Sequence, residues 1–331
     1  MRIITGLLNY LLKRLVFILV VLFIIVTLNF LIFQVFCPIN PVDVMTTPRF
    51  TQRTREILTH MFGLDQPIST RYAKYILNML TLNLGDSFIS RRPVIEDMMV
   101  YLPNTILLLG LSIALSIVIG IPLGIRAASG RGAKLDALIT TIGLVSFATP
   151  AFLLQLICRF TFCHWLGLFP FGLMTSIPPP SDPLAYALDL SYHLVLPVFT
   201  IVAINFGYWS LYSRNITLDA LTEDYITTAR GKGVSEHDVT YKYAFRASLP
   251  PIVTLVALTL PTIVTGAVMT EYIFSWPGIG WWLLDSMTSG DYPAVQGLLF
   301  IFSVLMLSAN FFTDIIYAIL DPRIRVGAAQ K

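Results

Sequence analysis

The sequence predicts an all-α integral membrane protein with six transmembrane helices. Of its 331 residues 56% are hydrophobic and only 12% are charged, and the mean hydropathy is +0.75. An average soluble domain carries about 25% charged residues, so this chain lacks the polar surface that water requires. Six long runs contain no Asp, Glu, Lys or Arg. A run of roughly 20 apolar residues crosses a bilayer as a helix.

The six charge-free runs give the predicted spans in order. They cover residues 15–36, 99–125, 137–158, 190–213, 252–270 and 293–313. The first follows Lys13 and Arg14 but exceeds the roughly 7–15 residues of a signal-peptide core, so we expect it to stay as an anchor. The last is expected to continue past Asp314 to Leu320.

The basic residues predict that both termini are cytoplasmic. Fourteen of the 22 Lys and Arg residues lie at the termini and in the loops after spans two and four. The short loops on the other side hold only Arg159. Seven more lie in the segment 37–98, and segments longer than about 60 residues escape the positive-inside rule. The net charge of +3 is too small to indicate a nucleic-acid partner.

We therefore divide the chain into four parts. Residues 1–36 form the tail and first span, 37–98 an extracytoplasmic helical segment, 99–320 the core with five spans, and 321–331 a cytoplasmic tail. Apolar residues recur at helical spacing within 51–62 and 69–82, which predicts two helices in the outer segment.

The segment 214–250 is the longest predicted cytoplasmic connection, and its pattern is that of a helical hairpin. Ser235 precedes Asp238 by three residues, as in a capping box at a helix start. Gly231 and Gly233 lie just before it and permit a sharp turn.

The second helix of this hairpin carries two basic residues on one face. Lys242 and Arg246 repeat at i and i+4, which places both cations on one face. We expect the helix to end at 249–251 (LPP) and to lead into span five. Such a compact double helix suits docking into the groove of a partner, although a solvated hairpin without a partner is equally compatible with the pattern.

Residues 223–235 (EDYITTARGKGVS) resemble the EAA loop of ABC importer permeases, most closely the "B"-type subunits for dipeptides, oligopeptides and nickel. Other motifs of that family follow in the same order. They are residues 63–67 (GLDQP), 84–88 (LGDSF), 92–94 (RPV), 102–105 (LPNT), 149–152 (TPAF), 274–278 (FSWPG), 291–293 (DYP) and 320–323 (LDPR). The resemblance covers nearly the whole chain and implies the type I ABC importer permease fold.

The resemblance also implies a docking site for an ATPase subunit in this loop. The family's EAA-xxx-Gly pattern reads here as Thr227, Thr228 and Ala229 followed by Gly233. The Glu is absent, so Thr227 forms no salt bridge. The expected coupling residues are Thr227, Thr228, Ala229, Gly231, Gly233, Ser235, Asp238, Lys242 and Arg246.

In this family two homologous permease subunits form the pathway in the bacterial or archaeal inner membrane. Two ABC ATPase subunits bind their loops, and an extracytoplasmic solute-binding protein delivers cargo. ATP and Mg²⁺ belong to the ATPases, and we expect no cofactor in this chain. We also expect no ATP hydrolysis by it, because Lys232 is followed by Gly233, where a P-loop needs Ser or Thr.

Seven residues in or near the spans are candidates for the pathway and its gates. They are Pro150, Gln155, Asn205, Pro261, Glu271, Asn310 and Asp314. The prolines interrupt helical hydrogen bonds and act either as hinges or as static kinks. The polar residues are costly at membrane depth unless they face protein or water, so contact with cargo competes with interhelical packing.

Glu271 and the cysteines have less demanding interpretations. Glu271 lies at the outer end of span five and could pair with Arg159 or line a gate, but a charge at a helix end among lipid headgroups is the simpler expectation. Cys158, Cys163 and His164 match no standard spacing of ligands, and we expect no metal site.

Two further classes of function remain open at this stage. The same machine could carry nickel, an oligosaccharide or glutathione in place of peptides. A secondary transporter could couple ions through Glu271 and Asp314, although such folds usually contain internal repeats. A membrane enzyme is disfavoured because no catalytic constellation is present. The EAA-like loop favours the importer.

Overall fold

A computed structural model describes residues 2–36, 52–61, 65–259, 262–265 and 267–320. The regular elements of these residues are helical, apart from one isolated bridge between Asp86 and Pro93. The helices are α1 (Arg2–Leu31), α2 (Gln52–Met61), α3 (Ile68–Leu80), α4 (Val94–Ser129), α5 (Lys134–Ala148), α6 (Ala151–Cys158), α7 (Pro183–Leu221), α8 (Asp224–Gly231), α9 (Glu236–Asp238), α10 (Phe245–Thr259), α11 (Thr262–Thr265), α12 (Val268–Ile273), α13 (Ile279–Ser289) and α14 (Tyr292–Leu320). Wider π-helical stretches cover Ile32–Phe36, Arg159–Trp165 and Val239–Ala244.

Four helices of the described residues are long and apolar enough to cross a membrane. They cover Leu11–Phe36, Val94–Ser129, Pro183–Leu221 and Tyr292–Phe312, and they contain predicted spans one, two, four and six. The prediction of an all-α integral membrane protein is confirmed. The two helices predicted in the outer segment correspond to α2 and α3.

The third predicted span is bent rather than continuous. Helices α5 and α6 meet at an angle of 98°. Thr149 is extended there, with φ −78° and ψ 125°, because the ring of Pro150 disfavours helical backbone in the preceding residue. Pro150 then serves as the N-cap of α6, where its missing N–H costs no helical hydrogen bond.

The fifth predicted span is not helical throughout. Ala267, which precedes α12, has φ −99° and ψ 73°, outside the helical region. Pro261, a predicted hinge, lies outside the described residues.

The predicted helix end at 249–251 is wrong. Pro250 and Pro251 lie inside α10, and α9, the π-helical stretch and α10 form one uninterrupted helical run from Glu236 to Thr259. Proline fixes φ near −65°, which a helix accepts, and the carbonyl groups it leaves free need other partners. Arg246 and Ala247, whose carbonyl groups lose those bonds, are exposed, so water can satisfy them.

The chain forms two compact units. One comprises residues 1–103 and 278–331, the other residues 104–277. In the first unit, the amide of Asn29 on α1 donates to the carbonyl of Gln296 on α14 at 3.1 Å. Asp291 precedes α14 and accepts from the backbone N–H of Phe88 at 3.0 Å and from the hydroxyl of Ser87. The motifs 84–88 and 291–293 are therefore neighbours.

The second unit is held together by close contacts between α7 and its neighbours. A Cβ built on Gly207 of α7 would lie 2.2 Å from the carbonyl oxygen of Gly143 on α5, and one on Gly124 of α4 would lie 2.2 Å from the carbonyl oxygen of Ser210. Only glycine allows these approaches, as is usual where membrane helices pack through small residues. An ion pair between Asp136 and Arg214, with N···O distances of 2.6 and 3.0 Å, also links α5 to α7.

Candidate functional site

The segment 214–250 folds as a helical hairpin with a small core of its own. Helix α7 continues to Leu221, well past the predicted span. Helix α8 then packs against the π-helical stretch that follows α9. Four buried side chains form the contact, and they are Ile226, Ala229, Val239 and Ala244. The hairpin therefore has a defined shape.

The turn between α8 and α9 has the geometry that its glycine predicts. Gly233 has φ +76°, a value that side chains with a Cβ rarely adopt. Its N–H donates to the carbonyl of Arg230 at 2.9 Å, and the N–H of Val234 donates to Ala229 at 3.3 Å. Ser235 caps the next helix by accepting from the N–H of Asp238 at 3.2 Å, as predicted from the capping pattern.

Two ion pairs brace the surface of the hairpin. The guanidinium of Arg230 donates to both carboxylate oxygens of Glu236, at 2.8 and 3.1 Å, across the turn. The ammonium of Lys242 lies 3.0 Å from the carboxylate of Asp238, one helical turn earlier. These hydrogen bonds lower the pKa of Glu236 and of Asp238, because they stabilise the ionised carboxylates.

The structure divides the expected coupling residues into three groups. Ala229 is buried in the hairpin core, and Asp238 is half-buried. The others are exposed: Thr227, Thr228, Gly231, Gly233, Ser235, Lys242 and Arg246. Ala229 therefore shapes the hairpin, whereas the exposed residues are available to a partner.

Sequence reasoning gave no coupling role to three exposed aromatic side chains of the hairpin. Tyr225 is 42% exposed, Tyr241 is 37% exposed and Tyr243 is 43% exposed. Aromatic residues are enriched at the centres of protein interfaces. Their aromatic character could have been read from the sequence, but helical periodicity alone does not show which face of a helix stays exposed.

The hairpin is joined to the long helices of its unit by contacts between α10 and α7. The hydroxyl of Ser248 on α10 donates to the carbonyl of Ala244 at 2.8 Å and approaches the carbonyl of Ile216 on α7 at 3.4 Å. Ser248 and Thr217 are buried at this contact. The second helix of the hairpin is thus continuous with α10 and packed on α7.

A cavity of about 380 Å³ lies among the helices of the same unit. This volume is within the range of about 300–1,000 Å³ that small-molecule sites occupy. The described residues that line the cavity are all uncharged. Its polar lining residues are Gln155, Asn205, Tyr208, Thr259, Thr262 and Thr270.

Two of the predicted pathway residues, Gln155 and Asn205, thus meet at one cavity. Tyr208 lies one helical turn after Asn205, so a polar face at i and i+3 was visible in the sequence. Thr259, Thr262 and Thr270 carried no such signal, because threonine is ordinary inside membrane helices. Pro150 does not line the cavity, but Ala151, the residue that follows it, does.

Glu271 is fully buried, which corrects the expectation of a charge exposed at a helix end. The hydroxyl of Thr105 donates to its Oε1 at 2.8 Å. The backbone N–H of Trp276 donates to the carbonyl of Glu271 at 2.8 Å, and the Trp276 indole N–H donates to the carbonyl of Asn104 at 2.9 Å. Residues of the motifs 102–105 and 274–278 are therefore in direct contact.

The remaining candidates are not among the described residues that line this cavity. Asn310 is half-buried on α14, in the other unit. Asp314 lies on the same helix, and its side chain is outside the described set. The guanidinium of Arg159 donates to the carbonyl of Phe171 at 2.9 Å. Cys163 is buried.

Comparison with known proteins places the chain in a family. A family model for the binding-protein-dependent transport system inner membrane component matches residues 120–326. A second model, for the N-terminal part of such membrane components, matches residues 7–109.

Individual relatives match over most of their length. The oligopeptide transport system permease protein AppB of Bacillus subtilis is 34% identical, over 95% of this chain and 98% of its own. The di/tripeptide transport system permease protein DppB of Pseudomonas aeruginosa is 35% identical, over 87% and 90%. The glutathione transport system permease protein GsiC of Escherichia coli is 32% identical, over 96% and 99%.

The chain belongs to the family of binding-protein-dependent transport system inner membrane components. It is an integral inner-membrane protein and a permease subunit of an ABC importer, as the resemblance of its motifs implied. An ion-coupled secondary transporter is therefore not retained as an interpretation.

Proposed function

We propose that the chain is one of two permease subunits of an ATP-driven importer for dipeptides or oligopeptides in a bacterial or archaeal inner membrane. The names of two similar permeases, AppB and DppB, support a peptide cargo. In this proposal the chain forms half of the pathway, and both of its termini are cytoplasmic.

The hairpin of residues 224–246 is the observation that carries the proposal. It has its own buried core, a braced turn and an exposed polar surface. A helix-turn-helix of this kind presents a rigid shape that a groove on a partner can hold. We assign it as the docking element for an ABC ATPase subunit.

The rest of the machine follows from this assignment. Two ATPase subunits bind ATP and Mg²⁺, and their closure moves the docked hairpins of the two permease subunits. A solute-binding protein delivers cargo to the extracytoplasmic side, which includes the segment 37–98. This chain supplies the pathway and the mechanical coupling, and it hydrolyses no ATP.

The test is co-purification from the native membrane in mild detergent, followed by identification of each recovered polypeptide. We expect a second homologous permease and P-loop ATPases, with a solute-binding protein recovered when peptide is present. The purified assembly in liposomes should accumulate labelled trialanine only when ATP is present inside the liposomes, on the side that corresponds to the cytoplasm. Recovery of this chain alone or as a homo-oligomer would contradict the proposal.

Glutathione is a second candidate cargo, because GsiC is similar over nearly the whole chain. Glutathione is itself a tripeptide with one γ-linked bond. Uptake of labelled trialanine and uptake of labelled glutathione, each measured with the other compound in excess, separate the two. Unchanged trialanine uptake favours a general peptide importer, whereas uptake of glutathione without trialanine favours the alternative.

A further inference from the structure

The cavity among α4, α6, α7 and α12 contains a buried polar group without a protein partner. Gln155 on α6 is 2% exposed. Its Nε2 donates to the hydroxyl of Thr270 at 2.6 Å. Its Oε1 has no hydrogen-bond partner among the described residues, although buried polar atoms are rarely left so.

Thr270 supplies one partner for an amide that has two polar ends. In the orientation of the structure its hydroxyl accepts from Nε2, which leaves the carbonyl end of Gln155 unpaired among the described residues. An unpaired amide at membrane depth carries a free-energy cost that a bound group relieves.

A second amide, which is half-buried, lies on another helix that lines the cavity. Asn205 on α7 lines the cavity and donates through Nδ2 to the carbonyl of Ile201 at 3.0 Å. No described residue donates to its Oδ1. The cavity therefore offers amide groups from two helices.

The start of α6 adds donors to this set. Ala151, its first residue, lines the cavity, and the N-cap Pro150 supplies no side chain to cap the helix. The N–H groups of Leu153 and Leu154 donate to the carbonyl of Pro150 at 3.0 and 3.2 Å. The N–H groups left without intrahelical partners are therefore those of Ala151 and Phe152. Amide oxygens and free N–H groups together match the N–H and C=O groups of a peptide bond.

We propose that this cavity is a transit site for the uncharged main chain of a peptide, with the amides of Gln155 and Asn205 hydrogen-bonding to backbone amide groups of the cargo. The inference rests on the proposed peptide function. A neutral lining that forms hydrogen bonds with the main chain alone would let peptides pass regardless of their side chains. It would favour peptide bonds over isosteric esters, which lack the N–H donor.

The test compares trialanine with a depsipeptide analogue, in which an ester oxygen replaces one of the two peptide N–H groups. The complete assembly in liposomes is supplied with binding protein saturated with either cargo, so that capture does not limit transport. The readout is the ratio of the two transport rates, which does not depend on how much assembly is active. Wild type should favour trialanine by about three- to tenfold, the effect of one hydrogen bond.

Gln155→Leu and Asn205→Leu should each lower this ratio toward one. Ser112→Ala is the matched control, because Ser112 is fully buried on α4 and its hydroxyl donates to the carbonyl of Leu108 at 2.7 Å within the same helix. If Gln155→Leu fails to assemble, Asn205→Leu decides the question, since its side chain is only half-buried.

An unchanged ratio in every assembled leucine variant would overturn the inference and leave the peptide importer standing. A wild-type assembly that hydrolyses ATP in response to binding protein but moves neither cargo would overturn both. A lowered ratio in Ser112→Ala as well would assign the effect to general packing and also overturn the inference.

Discussion

The hairpin and the cavity lie in the same unit and treat polar groups in opposite ways. On the hairpin, Arg230 is paired with Glu236 and Lys242 with Asp238. In the cavity, the Oε1 of Gln155 is buried without a partner. Polar groups at a solvated surface can exchange one partner for water, so their pairing mainly fixes shape. An unpaired polar group at membrane depth cannot use bulk water as its partner, which is why we propose that the cargo supplies one.

Glycine has one role in the hairpin and another where α5 and α7 pack together. Gly233 has φ +76° and open space around its missing Cβ, whereas Gly207 is helical and touches Gly143 of α5. The first glycine is needed for backbone conformation and the second for close approach. The following predictions use this contrast, in order of decreasing effect.

Gly207→Ala should have the largest effect, on stability. Its Cβ would lie 2.2 Å from the carbonyl oxygen of Gly143, so α5 and α7 must separate. Overpacking of this kind costs about 1–3 kcal/mol. The thermal unfolding midpoint of the purified protein in detergent measures it. Gly110→Ala is the control, because a Cβ there meets nothing within 4 Å, and equal midpoints for both variants would contradict the contact.

Gly233→Val should uncouple the hairpin while the chain still inserts and folds. A β-branched residue in the left-handed region costs about 1–2 kcal/mol, so the correctly turned hairpin falls roughly tenfold in population. Binding-protein-stimulated ATP hydrolysis by the assembly should fall accordingly. Gly110→Ala is the control, since Gly110 is helical, lies outside the hairpin and has open space. Full uptake by Gly233→Val would remove the docking assignment.

Charge reversal at Arg246 and Lys242 should weaken binding of the ATPase subunit by about three- to tenfold. Lys242→Glu also brings like charges together with Asp238. The double variant Asp238→Lys, Lys242→Glu restores that ion pair in reverse and isolates the effect of the exposed charge. Quantified co-purification is the measurement. Normal recovery of the ATPase with Arg246→Glu would show that this face is not the contact.

Acid should loosen the turn by a smaller amount. The pKa of Glu236 is lowered from 4.5 by its hydrogen bonds to Arg230. A lowered folded pKa contributes stability that is complete above 4.5 and is lost as the pH falls through the folded value. Limited proteolysis of the hairpin should therefore accelerate below about pH 4.5. In Glu236→Gln the acceleration should shrink, and an unchanged acceleration would mean that other groups control it.

The sequence was sufficient for the parts of the fold that depend on local chemistry. Charge-free runs located four long helices, and Ser235 and Gly233 located the hairpin turn. The bend at Pro150 was recognised as an interruption, but its angle of 98° depends on packing of α5 and α6 that no local pattern encodes. Pro250 and Pro251 suggested a helix end because proline removes a donor, yet the structure keeps the helix.

The candidate site was partly predictable for the same reason. Gln155 and Asn205 stood out as polar residues within spans, and the structure brings them to one cavity. Glu271 was expected at a helix end among lipid headgroups. Its burial was missed because its contact with Thr105 joins residues 166 positions apart. Long-range contacts of this kind are invisible to periodicity. The exposed Tyr225 was missed because a helical period does not reveal which face a partner will cover.

The uninterrupted helix from Glu236 to Thr259 has a geometric consequence. At 1.5 Å per residue its 24 residues extend over about 36 Å. One end carries the hairpin turn, and the other end, Thr259, lines the cavity. The contact of Ser248 with α7 lies about 17 Å from Thr259 along this axis, so a tilt of about 5° about that contact would displace Thr259 by about 1.4 Å. A shift of this size breaks a hydrogen bond of normal length, so in the proposed importer a small tilt of the hairpin would change the polar contacts that Thr259 offers to the cargo.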